Sequence, residues 1–169
     1  NKTEPNFKHI TYFSMGSEVT DVNNDGNLDI YVTDMTPNDH VKSKVFMASM
    51  DSKKFNTLVS SGFHHQYMLN TLQINNGDAS FSDIAQYAGI DKTDWSWAGL
   101  LFDMDNDGNR DIFITNGINH DLTDLDFVNF FANEIIQKMA LTGRKQAIDS
   151  IINKMPVKPQ PNYAYKNNG

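Results

Sequence analysis

Asp103-Met104-Asp105-Asn106-Asp107-Gly108-Asn109-Arg110-Asp111 reads D-x-[DN]-x-D-G-x-x-D, and the apolar, β-prone run Ile112-Phe113-Ile114-Thr115 follows at once. A near copy, Asp21-Val22-Asn23-Asn24-Asp25-Gly26-Asn27-Leu28-Asp29, leads into Ile30-Tyr31-Val32-Thr33. Oxygen-bearing side chains at positions 1, 3, 5 and 9 converge on one point if the backbone curls around it. A hard cation asks for that arrangement: Ca²⁺ takes about six to eight oxygens in a flexible shell. Glycine at position 6 allows the sharp turn at a φ that other residues avoid. The position-7 residues, Asn27 and Asn109, are expected to add their carbonyl oxygens. Two matches in one short chain predict two Ca²⁺ sites rather than two plain Asx-rich turns.

An EF-hand loop is the obvious rival. It needs a bidentate Glu at position 12 and a helix on each side. Position 12 here is Val32 in one loop and Ile114 in the other, and neither can bind a cation. The flanks Ser17-Glu18-Val19-Thr20 and Ala98-Gly99-Leu100-Leu101-Phe102 also read as extended. The β-branched and aromatic residues after each loop favour strand. Each loop is therefore predicted to join two strands, with its ninth residue, Asp29 or Asp111, serving both as ligand and as the first residue of the outgoing strand.

Length and composition bound the rest. The chain has 169 residues, 39% hydrophobic and 21% charged, as expected of an ordinary globular domain. The formal net charge of −7 disfavours nucleic acid as a partner. Seven of the acidic residues are Asp21, Asp25, Asp29, Asp103, Asp105, Asp107 and Asp111 of the two loops. Two bound Ca²⁺ would offset four charges and leave about −3. With no cysteine, disulfides, thiolate chemistry and Cys-based zinc sites are excluded in this chain. No apolar run approaches the roughly 20 residues of a membrane span. Weak calcium sites fill only outside a cell, which favours an exported protein. Residues Asn1 to Ile10 show no signal-peptide pattern.

Strands are predicted around residues 11–20, 29–33, 68–75, 96–102 and 111–115, with a further short one over 81–85 and a turn over 86–91. A helix is predicted over about 44–61, stopped by Gly62. Residues 122–155 change to helical period: Phe127, Phe131, Ile135 and Met139 form one stripe, and Ile148, Ile151, Ile152 and Met155 another. A helix packed on the edge of the β structure accounts for the first stripe better than a partner-docking helix.

A second repeat interleaves with the loops. Asn162-Tyr163-Ala164-Tyr165-Lys166-Asn167-Asn168-Gly169 has the form of Asn70-Thr71-Leu72-Gln73-Ile74-Asn75-Asn76-Gly77. Self-similar β units at a near-fixed period predict a propeller or a solenoid. The expected fold is mainly β with helical insertions: a fragment of a β-propeller, about one and a half to two blades, with calcium-binding inter-strand loops. The expected division places part of a blade and the first loop in 1–33 and a partly helical insertion in 34–66. A blade with the second loop follows in 67–119, then a helical insertion in 120–161 and the first strand of a following blade in 162–169.

The chain resembles the FG-GAP/VCBS repeat family, whose calcium-loop blades are also seen in integrin α-type propellers. The resemblance rests on Phe81-Ser82-Asp83-Ile84-Ala85, Gly89-Ile90, Trp97-Ala98-Gly99, the Asp-rich loop and Asp111-Ile112-Phe113-Ile114-Thr115-Asn116-Gly117, in that order. Gly62-Phe63-His64-His65-Gln66-Tyr67-Met68-Leu69 and Asp94-Trp95-Ser96-Trp97-Ala98 resemble the large VCBS-repeat proteins of Bacteroidota of the ASPIC/UnbV type. That resemblance implies an exported protein, at the cell surface or outer membrane of a Gram-negative bacterium or extracellular. It also implies surface lipoproteins, a protein or glycan partner such as an outer-membrane transporter complex, and the remaining blades of the same chain. Membrane contact would come only through a lipid anchor that this chain does not show.

The other candidates are weaker. His64 and His65 are adjacent and would point to opposite faces of a strand, so polar packing is the better reading than a zinc or acid–base site; His40 and His120 are isolated. Trp97 is expected in the core, while Trp95 could equally stack on a sugar. Paired carboxylates suited to glycosidase chemistry occur only inside the two loops, so no catalytic residue is assigned. Two functions remain: a calcium-stabilised, non-enzymatic binding or scaffold module, or part of an exported polysaccharide-acting enzyme whose active site lies elsewhere.

Overall fold

In the computed structural model, residues 3–46, 51–121, 123–142, 153 and 155–169 are described. The protein is mainly β, with several sheets, a few helices and no closed barrel among these residues. It forms two compact units. One comprises residues 1–38, 50–117 and 160–169; the other comprises 39–49 and 118–159.

The first unit holds three sheets. β1 (Ile10–Thr11) pairs in parallel with β5 (Gln66–Tyr67). β2 (Ser17–Thr20), β3 (Asp29–Val32), β6 (Thr71–Asn75) and β7 (Phe81–Asp83) form an antiparallel sheet in that order. β10 (Tyr163–Tyr165), β9 (Asp111–Asn116), β8 (Asp94–Phe102) and β4 (Met35–Thr36) form the other. Each Asp-rich loop thus joins two adjacent antiparallel strands, β2 to β3 and β8 to β9. This is the hairpin the β-branched flanks predicted, with no helix on either side.

The strand expected over 11–20 is broken: β1 ends at Thr11 and β2 begins at Ser17. Between them Tyr12 and Phe13 turn their N–H groups onto Asp34 Oδ2, at 2.8 and 2.9 Å, instead of a neighbouring strand. The helix expected over 44–61 is shorter. α3 runs Ser52–Ser60, capped by Asp51 Oδ1 accepting from the Lys53 N–H at 2.8 Å, and closes with Gly62 at φ +88°. A four-residue helix, α1 (Thr3–Asn6), precedes β1.

Strand pairing departs from the expected division in two places. β6 and β7 join the sheet of the first loop, not that of the second. β10, expected to open a following blade, pairs with β9, as Tyr163↔Ile114, Ala164↔Phe113 and Tyr165↔Ile112. The two Asn-rich segments therefore occupy one place in two like sheets: each is the strand laid against the one leaving its Asp loop. Long insertions separate the partners along the chain, so neighbourhood in sequence misassigned them.

The inner faces of these two sheets share one core. Tyr31, Leu72, Leu101, Ile112 and Ile114 are buried there with Val22, Ala85 and Ile90, and Ile74, Ile84, Tyr163 and Tyr165 pack against them. The alternation along β8 buries Leu101 and exposes Leu100 and Phe102, each 44% accessible. Trp97 corrects an expectation. It is 49% exposed, not core, because a bulge between Ser96 and Ala98 breaks the alternation there. Its ring N–H donates to the Gly117 carbonyl at 2.6 Å.

The second unit contains α2 (His40–Val45), capped by Asp39 Oδ1 accepting from the Lys42 N–H at 2.7 Å. Phe46 bridges to Asp124. A π-helical segment, Phe127–Ala132, continues into α4 (Asn133–Thr142). Phe127 of the first predicted stripe is buried; Ile148, Ile151 and Ile152 of the second lie outside the described residues. Among the described residues no helix is long and apolar enough to cross a membrane.

Candidate metal centre

The two Asp loops are built alike. In the first, both oxygens of Asp21 accept main-chain N–H groups, from Asp25 at 3.1 Å and Gly26 at 2.8 Å. Asp25 Oδ1 accepts from the Asn27 N–H at 2.8 Å. In the second, Asp103 accepts from Asp107 at 3.1 Å and Gly108 at 3.0 Å, and Asp107 Oδ1 from Asn109 at 2.9 Å. The turn is made by left-handed residues at positions 4 and 6: Asn24 at φ 59° and Gly26 at 88°, Asn106 at 61° and Gly108 at 91°. Asparagine and glycine are the residues that accept that region at least cost.

These N–H contacts hold the Asp25 and Asp107 carboxyls below the usual carboxylate range. For Asp25 the largest cause is the Asn27 N–H, followed by the Asn23 side chain. For Asp107 it is the Asn109 N–H. Both groups therefore stay ionised, the state a cation requires.

The ninth residue does what the Asp-loop pattern alone does not disclose. Asp29 is buried, and its Oδ2 accepts the Val22 N–H at 2.9 Å while Oδ1 accepts the Asn75 N–H at 2.8 Å. Asp111 repeats this with Met104 at 2.8 Å and Asn167 at 2.8 Å. Asn75 and Asn167 are the first Asn of each Asn-Asn-Gly. Their side-chain oxygens in turn accept the N–H of Gly77 at 3.0 Å and Gly169 at 3.1 Å. The two repeats read separately in the sequence thus meet at one carboxylate: the Asn-rich segment laid against the strand leaving each loop pins the ninth Asp of that loop. An ionised carboxylate has about four acceptor positions, so these bonds leave room for a metal.

The donor set fits a hard cation. Asp103, Asp105 and Asp111 each bring a carboxylate oxygen within 4.8 Å of the others. Two oxygens that share one Ca²⁺ at about 2.3–2.6 Å lie no more than about 5 Å apart, so this spread suits one ion between them. The first loop carries an amide, Asn23, where the second has Asp105. Its side chain donates to Asp25 Oδ2 at 3.1 Å and its oxygen accepts the Asp25 N–H at 3.2 Å. Among the described residues the predicted ligand Asp107 is not part of that cluster, and Asp21, Asp25 and Asp29 of the first loop do not form one. The main-chain N–H groups of Asn27 and Asn109 point at the position-5 carboxylates.

The other sequence candidates form no such cluster. His64 and His65 lie just before β5, with rings 6.1 Å apart and nearly perpendicular; His65 and Tyr67 flank the ring of Phe55 on α3. Trp95 and Trp97 have ring centres 6.2 Å apart at 44°. A His–carboxylate pair went unnoticed in the sequence: His9 Nε2 lies 2.8 Å from Asp83 Oδ2. Asp83 Oδ1 is taken up by the N–H groups of Leu72 and Ala85, both at 2.9 Å. That geometry ties the chain before β1 to β7. Residues 9 and 83 are too far apart in sequence for spacing to reveal them.

No curated protein and no solved structure matches the chain. Residues 45–114, a span that contains the second loop from Asp103 to Asp111, match the family model described as an FG-GAP-like repeat.

Proposed function

We propose that both Asp loops bind Ca²⁺ and that the two four-stranded sheets are neighbouring blades of a β-propeller serving as a binding or scaffold module. The observation that carries this reading is the ninth Asp. A buried carboxylate held by two main-chain N–H groups, one from the Asn-rich segment beside the outgoing strand, ties any ion in the loop to the pairing of the sheet. The repeat match to residues 45–114 supports it. So does the face-to-face core of the two sheets, and the exposed Leu100 and Phe102 on the outer face of β8 suit cover by a further blade.

The ion's role is structural. Its ligands come from one short hairpin, whereas catalytic metal sites draw ligands from separate elements and keep a position open. Sites of this kind fill at extracellular calcium levels, which supports a place outside the cytoplasm; the resemblance to large VCBS-repeat proteins supports the cell surface of a Gram-negative bacterium or the medium. Its partners are a protein, such as an outer-membrane transporter complex, or a glycan. Thermal melting against calcium tests the reading. The melting temperature should rise with free ion through binding linkage, by about 2.7 kcal/mol of stability at a hundredfold excess over Kd. Asp21→Ala and Asp103→Ala should each remove part of that rise. A melting temperature indifferent to calcium and to chelation would refute it.

A further inference from the structure

The two loops differ at positions 2, 3 and 8, and the two Asn-rich segments at positions 2 to 5; one residue from each set, Asp105 and Lys166, touch in the second sheet. Position 3 is Asn23 in the first loop and Asp105 in the second. Aligning Asn70–Gly77 with Asn162–Gly169 sets Ile74 against Lys166. Ile74 packs on the core of the first unit. Lys166 instead turns to its loop: Nζ bonds Asp105 Oδ2 and lies 3.4 Å from Asp107 Oδ2. The first loop carries three carboxylates, Asp21, Asp25 and Asp29. The second carries four, but Arg110 lies within it where the first has Leu28, and with the Lys166 ammonium its net charge is −2 against −3 for the first.

We propose that Lys166 is a resident counter-cation of the second loop, so that the first loop fills with Ca²⁺ at lower ion concentration and the second only when the ammonium has been displaced. The proposal rests on the calcium reading above. An ion entering the second loop meets a positive charge already bonded to one ligand, Asp105, and close to another, Asp107. It must repel that charge or move it aside. Moving it is feasible, because Lys166 is 55% exposed and its carboxylate partners 40% and 30%. An exposed pair of this kind is weak, because water and salt screen it. Lys166 therefore weakens the second site without closing it. Asp105 gives that site a full carboxylate where the first has an amide, and Lys166 masks the advantage.

Calorimetric titration with CaCl₂ on the 169-residue chain separates the sites. Asp21→Ala with Asp25→Ala isolates the second loop; Asp103→Ala with Asp107→Ala isolates the first. With the second loop isolated, Lys166→Met should tighten binding by about fivefold, the scale of one exposed ion pair. Lys166→Gln, which keeps a donor but no charge, should tighten it to a similar degree. With the first loop isolated, neither change should matter. Binding at both loops with no response to either Lys166 variant, or weaker binding at the second, would overturn this proposal alone. No heat from either loop of the unsubstituted chain at millimolar calcium would overturn the calcium reading and this proposal with it.

Discussion

The ring of Tyr31 on β3 occupies the space that a side chain at residue 99 on β8 would need. A Cβ added to Gly99 would stand 2.3 Å from Tyr31 Cε1 and 2.5 Å from Cδ1. Tyr31 is fully buried, so its ring has no route out. The large residue of one sheet and the bare backbone of the other fit where the strands leaving and entering the two Asp loops come together.

Gly99→Ala should therefore destabilise the protein by about 1–3 kcal/mol, the usual cost of overpacking. Urea unfolding followed by tryptophan fluorescence measures it. In Tyr31→Leu, which vacates part of the space, the same alanine should cost less than in the unsubstituted chain. Equal costs in both backgrounds would mean that the clash is not with Tyr31.

Asn70, also fully buried, joins three segments. Its side-chain oxygen accepts the Asp34 N–H at 2.7 Å, and its amide donates to the Ile90 carbonyl at 2.9 Å and Thr93 Oγ at 2.6 Å. Asn70→Ala leaves those buried groups unpaired, at about 1–3 kcal/mol each before relaxation. A loss of at least about 2 kcal/mol is expected in urea unfolding. Asn162, the corresponding residue of the second sheet, is exposed and accepts the Asn116 N–H at 2.8 Å; its alanine variant should cost under about 1 kcal/mol.

The carboxylates of one loop should fall into two groups. Asp29 holds the Val22 and Asn75 N–H groups whether or not an ion is present, so Asp29→Ala should lower the melting temperature even under chelation. Asp25 is exposed, and Asp25→Ala should matter mainly when calcium is added. Melting of both variants with excess chelator and with excess calcium distinguishes them. Equal losses under chelation would show that Asp29 has no role in strand pairing.

Much of this was legible in the sequence, and the remainder follows a pattern. The Asp loops, their glycines and the hairpins they close came from local spacing, since the N–H contacts onto the first and fifth residues that turn each loop are made within nine residues. The Asn-rich repeat was also visible. Its role was not, because Asn167 reaches Asp111 across an insertion that spacing cannot bridge. Trp97 was misplaced by a bulge, a backbone irregularity that no side-chain pattern records. His9 and Asp83, and Asp34 with Tyr12 and Phe13, are likewise pairs made by tertiary closure.

Asp34 supplies the pH dependence. It is fully buried between β3 and β4, and burial raises its carboxyl above the usual range although the N–H groups of Phe13, Met35 and Tyr12 pull the other way. A carboxyl whose folded pKa is raised binds a proton more readily in the folded state. Its ionisation therefore removes stability as pH rises from the ordinary carboxylate value through the raised one, and the loss is complete above that. Asp25, Asp78 and Asp107 are shifted down, so their stability is lost only as pH falls below the ordinary value. The two windows do not overlap. Asp34→Asn has nothing to titrate at this site, so the stability of the unsubstituted chain relative to Asp34→Asn should increase as pH falls from 7 toward 4, at fixed calcium. Urea midpoints of the two proteins at several pH values measure that difference. A gap that stays constant over this range would mean that Asp34 ionises as an ordinary carboxylate, its three N–H donors having balanced the cost of burial.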